Sequence, residues 1–421
     1  MAQVEGHGAR ITDEGIARIR ARIGKGFEGR RPWRSEVTRD AAYHMALGIG
    51  DTSPLYHDEA YAKKTKWGGL LAPYIMIQTF DTLRSVGHSG LPEGLPGVHS
   101  IWTGSLFEWK RPLKVGDAIR ADSYLKAVEE RESKFGGGRS VYQTYEAVYF
   151  DQTGDKIGLR NDTWIRIERH KTAETKKYGK TELAKWTPEK VQDLMAQYKA
   201  ETRAAERFWD DVKVGDELSK RVKGPLTPTV EIAFESQLGI YLVGNKVAAN
   251  LYAKHPKLFI VNEQGVPEPP QRVHWDNEFT TRLLGLPGAY DLGPERCAWL
   301  IQVCTDWMGD AGHLARLECK YLKFNYMGDV TWITGAVTEK FERDGKAYAR
   351  VKVECLNHRE ELTAAGVPST RRTRPSTSTR PATRSASGTT RGSGSSGTRR
   401  PRRRSTGRRI SRSGRPNASR S

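Results

Sequence analysis

Two short segments of the chain set a carboxylate and an imidazole close together. The first is Gly50-Asp51-Thr52-Ser53-Pro54-Leu55-Tyr56-His57-Asp58, and the second is Val273-His274-Trp275-Asp276-Asn277. A carboxylate paired with an imidazole is the standard equipment of general acid–base chemistry. Each residue also has a plainer reading. Asp51 can serve as an Asx turn or a helix cap in its Gly-Asp-Thr-Ser-Pro run. His57 can lie on the surface, and His274, next to Trp275, can be a hydrogen-bonded core histidine. Other chemistries lack their residues: there is no Walker A loop, no G-x-G-x-x-G after a strand, no H-E-x-x-H and no G-x-S-x-G. The four cysteines, Cys297, Cys304, Cys319 and Cys355, form no C-x-x-C pair. No metal site is expected from them, and reduced thiols in a cytoplasmic protein are the simplest reading.

The elements that must hold these segments read as two copies of one plan. Thr12 caps a short amphipathic helix over residues 12–24, and Asp40–Leu47 forms a second helix that stops at Gly48. After the Gly-Asp-Thr-Ser-Pro turn come a helix over Asp58–Lys66 and a longer apolar one over Ala72–Val86. The period then changes from 3.6 to 2, with strands at Ser105–Lys110, Asp117–Glu130, Ser140–Phe150 and Lys156–Glu168. A polar, lysine-rich linker covers 169–186, and Thr187-Pro188 opens a connecting helix. The second copy starts with a strand at 212–218 and a helix at Thr229–Leu238 stopped by Gly239. It continues with a long apolar helix at Gly293–Met308 and strands at Leu317–Tyr326, Val330–Glu342 and Ala347–Asn357. Gly328-Asp329 mirrors Gly116-Asp117. Gly48 precedes Tyr56 by 8 residues and Gly239 precedes His274 by 35, so the second copy carries an insertion of 27, spanning about 240–270. The expected organisation is an N-terminal domain at 1–169, a linker with connecting helix at 170–206, a second domain at 207–365 and a tail at 366–421. A buried helix followed by an antiparallel sheet, twice, is an α+β plan.

The first segment resembles the hydratase-2 signature of MaoC-like dehydratases, G-D-x-N-P-x-H-x-D. Trp67-Gly68-Gly69-Leu70-Leu71-Ala72-Pro73 looks like the helix start of their N-terminal, fatty-acid-synthase-like domain. In the second half, Val273-His274-Trp275-Asp276-Asn277 resembles the H-x-D end of the same motif, and Gly285 with Ala289-Tyr290-Asp291-Leu292-Gly293 its downstream G…A-x-x-H-G. The resemblance covers about residues 30–360. It implies a double hot-dog fold, in which two antiparallel sheets, each wrapping a long central helix, join into one. It also implies an acyl-CoA or acyl-carrier-protein substrate, a 2-enoyl thioester hydrated to its 3-hydroxy form or the reverse. The chemistry the resemblance implies needs a carboxylate and an imidazole on one water, a backbone N–H or helix N-terminus for the enolate oxygen, and an apolar tunnel. No cofactor beyond the CoA thioester is needed. A homo-oligomer or a paired subunit is expected, without a membrane partner.

The departures from the motif leave the centre open. Asp51 holds the Asp position, Ser53 replaces Asn, Tyr56 replaces His, and His57 stands one place later. In the second copy His274 and Asp276 are in register, while Pro269 replaces the Asp, Gln271 the Asn, and Leu292 the His of the H-G pair. Three arrangements follow. Asp51 pairs with His57 through a shifted loop; His274 pairs with a carboxylate of the insertion, such as Glu263 or Glu268; or neither copy is catalytic and the protein binds acyl groups or serves a partner. Asp51, His57 and His274 are the catalytic candidates, with Ser53, Tyr56, Ala72, Asp276 and Gly293 lining the substrate. A hot-dog thioesterase is a further alternative.

The charge of +19 gives no support to nucleic-acid binding by the body of the chain. The 16 arginines of Gly366–Ser421, with no Lys, Asp or Glu, account for all but +3 of it. That tail has almost nothing apolar to bury and is expected to be disordered, with at most non-specific binding to nucleic acid. It breaks off where a last edge strand is due, and Lys gives way to Arg, as in a frameshifted C-terminus.

Overall fold

The structure, a computed structural model, describes residues 10–27, 31–83, 95, 98–133, 138–168, 181–204, 206–239, 242–254, 256 and 259–372. In chain order its helices are α1 (Asp13–Arg20), α2 (Arg39–Ile49), α3 (Glu59–Lys64), α4 (Pro188–Ala200), α5 (Pro228–Leu238), α6 (Asn245–Lys254), α7 (Asn277–Leu284) and α8 (Gly293–Met308). Its strands are β1 (His99–Trp109), β2 (Arg120–Ser133), β3 (Gly138–Phe150), β4 (Lys156–Ile167), β5 (Arg221–Lys223), β6 (Ile260–Val261), β7 (Pro267–Glu268), β8 (His313–Tyr321), β9 (Thr331–Arg343), β10 (Lys346–Asn357) and β11 (Leu362–Arg372). Among the described residues one antiparallel sheet runs β2-β3-β4-β1-β8-β11-β10-β9-β5. The two halves meet where β1 pairs with β8, from Gly104 opposite Lys320 to Glu108 opposite Arg316. Gly104 is required there: a Cβ would stand 2.8 Å from the Cys319 carbonyl oxygen. This is the double hot-dog plan, an α+β fold.

The central helix of the second half is α8, buried from Pro294 to Met308. Burial of Trp299, Leu300, Val303 and Trp307 contributes about 1.5–3 kcal/mol per side chain before entropy is counted. In the first half the expected helix over Ala72–Val86 is, over Tyr74–Thr79, a buried 3-10 segment, and residues 84–86 lie outside the described residues. Asp81 interrupts it. One of its carboxylate oxygens accepts from the Leu83 N–H at 2.8 Å and pairs with the fully buried Arg160, and the other accepts from Tyr149. A buried cation in need of a partner outcompetes helix continuation.

Hydrogen bonds repeat between the halves. Ala72 N–H donates to Leu113 O (3.0 Å) and Asp291 N–H to Asn325 O (2.9 Å); Gly116 N–H donates to Val37 O and Gly328 N–H to Leu226 O (both 2.8 Å). Thr38 caps α2 as Thr227 caps α5. The helix stop of the first copy is Gly50, in the left-handed region at φ 67°, not Gly48. Gly48 lies inside α2, where α5 crosses so closely that a Cβ would meet Ala233 O at 3.0 Å. Gly50 matches Gly239 (φ 73°). From these two stops to Tyr56 and His274 the chain runs 6 and 35 residues, so the insertion is 29 residues. Its described part holds α6 and the β6–β7 hairpin.

Two expectations about strands fail. Residues 212–218 make only an isolated bridge, Glu217 with Ala336, and the strand is β5 further on. The last strand does form: β11 lies between β8 and β10, so the second half extends past Gly366 to Arg372. Leu-Thr-Ala-Ala-Gly-Val-Pro-Ser-Thr-Arg-Arg has no strand-like alternation. Its neighbours supply the ladder, which to β10 is broken between Ser369 and Gly366, where Pro368 has no N–H to give. The remainder of the arginine-rich tail, and residues 169–180 of the linker, lie outside the described residues.

Candidate functional site: two motif loops with different chemistry

In the first copy the left-handed Gly50 turns the chain back along α2, so that Asp51 N–H donates to Ala46 O at 2.8 Å. Asp51 Oδ1 then accepts from Ser53 N–H at 2.9 Å, an Asx turn leading into the 3-10 turn Pro54–Tyr56. Asp58 caps α3 through the Tyr61 N–H (2.9 Å). These turns alternate the side chains. Asp51, Ser53 and Tyr56 point inward and are buried, whereas His57 is exposed against Tyr43, ring centroids 5.8 Å apart. The loop is not shifted, and it separates His57 from Asp51.

Asp51 instead faces charges from the second half. Burial raises its carboxyl above the usual range, opposed by the Ser53 hydrogen bond and by Lys223, Arg203 and Arg221. Asp306 of α8 is pushed up to about 7, by burial first and then by the charge of Asp51. Lys223 Nζ donates to Ile49 O (3.0 Å) and to Gln302 Oε1, while Gln302 Nε2 donates to Gly50 O (3.2 Å). Arg221 pairs with Asp306 at 2.8 Å, and Arg203 with Asp310. This network ties the end of α2 to α8. Above it a pocket is lined by Tyr56, Trp67, Tyr74, Arg203, Met308 and Asp310. Burial, reinforced by Asp51, holds the Tyr56 hydroxyl well above 10, so it can donate a hydrogen bond but cannot take a proton as imidazole would. Ala72 commits its N–H to Leu113 and has none for a substrate oxygen. Behind Tyr74 stands a histidine absent from the sequence reading. His313 Nε2–H donates to Trp109 O (2.9 Å), leaving Nδ1 to accept from Tyr74 O–H (3.0 Å). Burial drops its pKa to about 3, so it is a neutral structural group.

In the second copy the loop is the 3-10 turn Pro270–His274, followed by Asp276, which caps α7 through Phe279 N–H (2.8 Å) and pairs with Arg272 (2.7 Å). Asp276 therefore commits one carboxylate oxygen to the α7 cap and the other to Arg272. His274 is buried at the position that Tyr56 occupies in the first half. Its Nδ1 lies 2.7 Å from Tyr290 O, which requires the proton on Nδ1 and places the basic lone pair of the neutral ring on Nε2. Glu263 and Glu268, the expected carboxylates of the insertion, both pair with Arg272, at 2.7 and 3.3 Å, and Glu263 is held down at about 2. Gly293 opens α8 against the Tyr321 ring.

Carboxyls that the sequence reading missed lie on α5 and at the start of α8. Glu231, Glu235 and Glu295 are buried, as is Asp291. Burial, then the neighbouring Glu295, holds Glu231 well above its usual 4.5. Burial raises Glu295 to about 7 and Asp291 to about 6, the latter offset by Arg296 at 2.8 Å. Setting Thr38 on Thr227 would have exposed the glutamates, since Glu231 and Glu235 then fall on the apolar positions Ala42 and Ala46. Among the described residues no helix is long and apolar enough to cross a membrane.

Residues 21–159 match the family described as the FAS1-like dehydratase domain region. A protein of Thermomonospora curvata named probable enoyl-CoA hydratase alpha subunit is 26% identical over 178 residues, 39% of this chain and 55% of its own length. The chain thus spans about half the length of that relative. Among solved structures, one named MaoC-like dehydratase aligns with 84% of this chain and 99% of its own at TM-score 0.58 and 18% identity. A putative MaoC domain dehydratase from Chloroflexus aurantiacus aligns with 84% and 96% at TM-score 0.51 and 11% identity. Sequence match and fold agree: residues 21–159 match the FAS1-like dehydratase region, and the whole double hot-dog fold is shared with MaoC-like dehydratases.

Proposed function

We propose that the protein is a hydro-lyase of acyl thioesters, adding water to a 2-enoyl-CoA or removing it from a 3-hydroxyacyl-CoA, with His274 as the proton-handling group. One observation carries this reading: the imidazole position of the second motif holds a buried histidine whose tautomer is fixed by Tyr290 O. Nε2 takes a proton from water as the oxygen bonds to C3. The π electrons move toward the thioester oxygen, and C2 then receives a proton. The first turn of α8, which begins three residues after Tyr290, offers a positive helix end to the enolate oxygen. No further cofactor is needed for these steps.

The first half, with Tyr56 in place of imidazole and His57 turned outward, is read as the acyl-binding half, with Ser53 and Tyr56 at its wall and Asp51 fixing the loop. The halves are divided near residues 170–206. The alpha-subunit name of the T. curvata relative supports a paired subunit or an oligomer. Four buried cysteines without a disulfide support a reducing, cytoplasmic setting. The test is incubation with crotonyl-CoA and with a long-chain enoyl-CoA, following enoyl absorbance and free thiol. Loss of enoyl absorbance without thiol supports the hydro-lyase. Thiol release favours the thioesterase, and neither change favours a binding subunit.

A further inference from the structure

The second motif has Pro269 where its loop carboxylate would stand. α2 and α5 each have 11 residues between a threonine N-cap and a left-handed glycine. Matched end to end, Met45 and Ile49 correspond to Phe234 and Leu238, all buried, while Ala42 and Ala46 correspond to Glu231 and Glu235. In the first half Ala46 and Tyr56 belong to one packed cluster, and the Ala46 carbonyl accepts from the Asp51 N–H. Position for position, Glu235 and His274 replace Ala46 and Tyr56. A carboxyl on α5 thus stands at the helix position equivalent to Ala46, whereas in the first half the carboxyl is carried by the loop.

A second, independent observation marks the same place. Gln271, in the same 3-10 turn as His274, is fully buried with neither amide atom partnered by the protein. Its counterpart Ser53 is likewise buried with an unpartnered hydroxyl. A buried amide able to give and accept at once is suited to orienting a small polar reactant. The charged groups of the surrounding elements are Glu231 on α5, Asp291, Glu295 and Arg296 at the start of α8, and Arg272 and Asp276 in the turn of His274 itself.

We propose that Glu235 of α5 is the carboxyl partner of His274, so that the second half carries an acid–base centre rebuilt from the helix, with Gln271 orienting the reacting water. This rests on the hydro-lyase reading for its chemistry. Net hydration adds the water hydroxyl to C3 and one proton to C2, with the proton taken from water by the His274–Glu235 pair returned to carbon.

The test uses the full-length chain and two readouts. With crotonyl-CoA, Glu235→Gln should lower kcat by about 10²–10⁴-fold, with binding of saturated butyryl-CoA, by calorimetry, within about threefold of wild type. Glu235→Asp, which keeps a carboxyl, should recover part of the loss. Independently of activity, the His274 imidazole, assigned by His274→Gln and followed by NMR, should titrate at lower pH in Glu235→Gln than in wild type. An unchanged His274 titration, or an unchanged kcat, overturns the pairing. A wild-type chain inert toward every enoyl-CoA overturns the hydro-lyase reading alone, since the His274 titration then still decides the pairing.

Discussion

Replacing Glu231 by glutamine should raise stability, and only away from acid pH. In the unfolded chain this carboxyl ionises at the ordinary 4.5; in the fold burial and the neighbouring Glu295 keep its proton on well above that value. Above pH 4.5 the native state therefore binds more protons than the unfolded state, and stability falls as pH rises. Each pH unit over which the fold holds this proton above the unfolded value costs about 1.4 kcal/mol. Glutamine has the same shape and has no proton to lose. For a compact unit spanning Met1–Ser376, an unfolding entropy of about 2.1 cal/mol/K per residue converts each such unit into about 2 °C. The assay is thermal unfolding of wild type and Glu231→Gln across pH 4.5–7, read as the difference in Tm so that other titrations cancel. The difference should be near zero at pH 4.5 and positive above it, growing by about 2 °C per pH unit while the folded carboxyl keeps its proton. A difference that is flat with pH, or negative at pH 7, refutes the assignment of a proton to this site.

Side by side in the crotonyl-CoA assay, His274→Ala should lose about 10²–10⁴-fold in turnover, His57→Ala should be unchanged, and Asp51→Asn should fall by less than tenfold while lowering Tm. The opposite order would return the centre to the first loop. Ending the chain before Gly366 should yield insoluble protein, because β8 and β10 lose the strand between them; ending it after Ser376 should leave Tm unchanged. Arg372→Met should raise stability by about 1–3 kcal/mol in denaturant unfolding. The guanidinium is buried with Nε and Nη2 unpartnered, and desolvation lowers its pKa to about 9.

The sequence by itself determined what depends on local chemistry. Thr12, Thr38, Thr187 and Thr227 cap helices because a β-region threonine oxygen reaches the N–H three residues on. α8 matched its expected limits, and the internal repeat was legible from turns such as Gly116-Asp117 and Gly328-Asp329. Motif and repeat together were enough for the double hot-dog plan. Tertiary structure decided the rest. Asp81 broke the first central helix because buried Arg160 required an anion. Gly48 stayed inside α2 because α5 crosses it, and β11 exists because two neighbouring strands complete a segment with no pattern of its own. The site was the least legible part. Facing directions within a 3-10 turn put Tyr56 inside and His57 outside, a distinction that adjacency in sequence cannot make. The carboxyls of α5 are buried by packing of elements far apart in the chain, which no local spacing records.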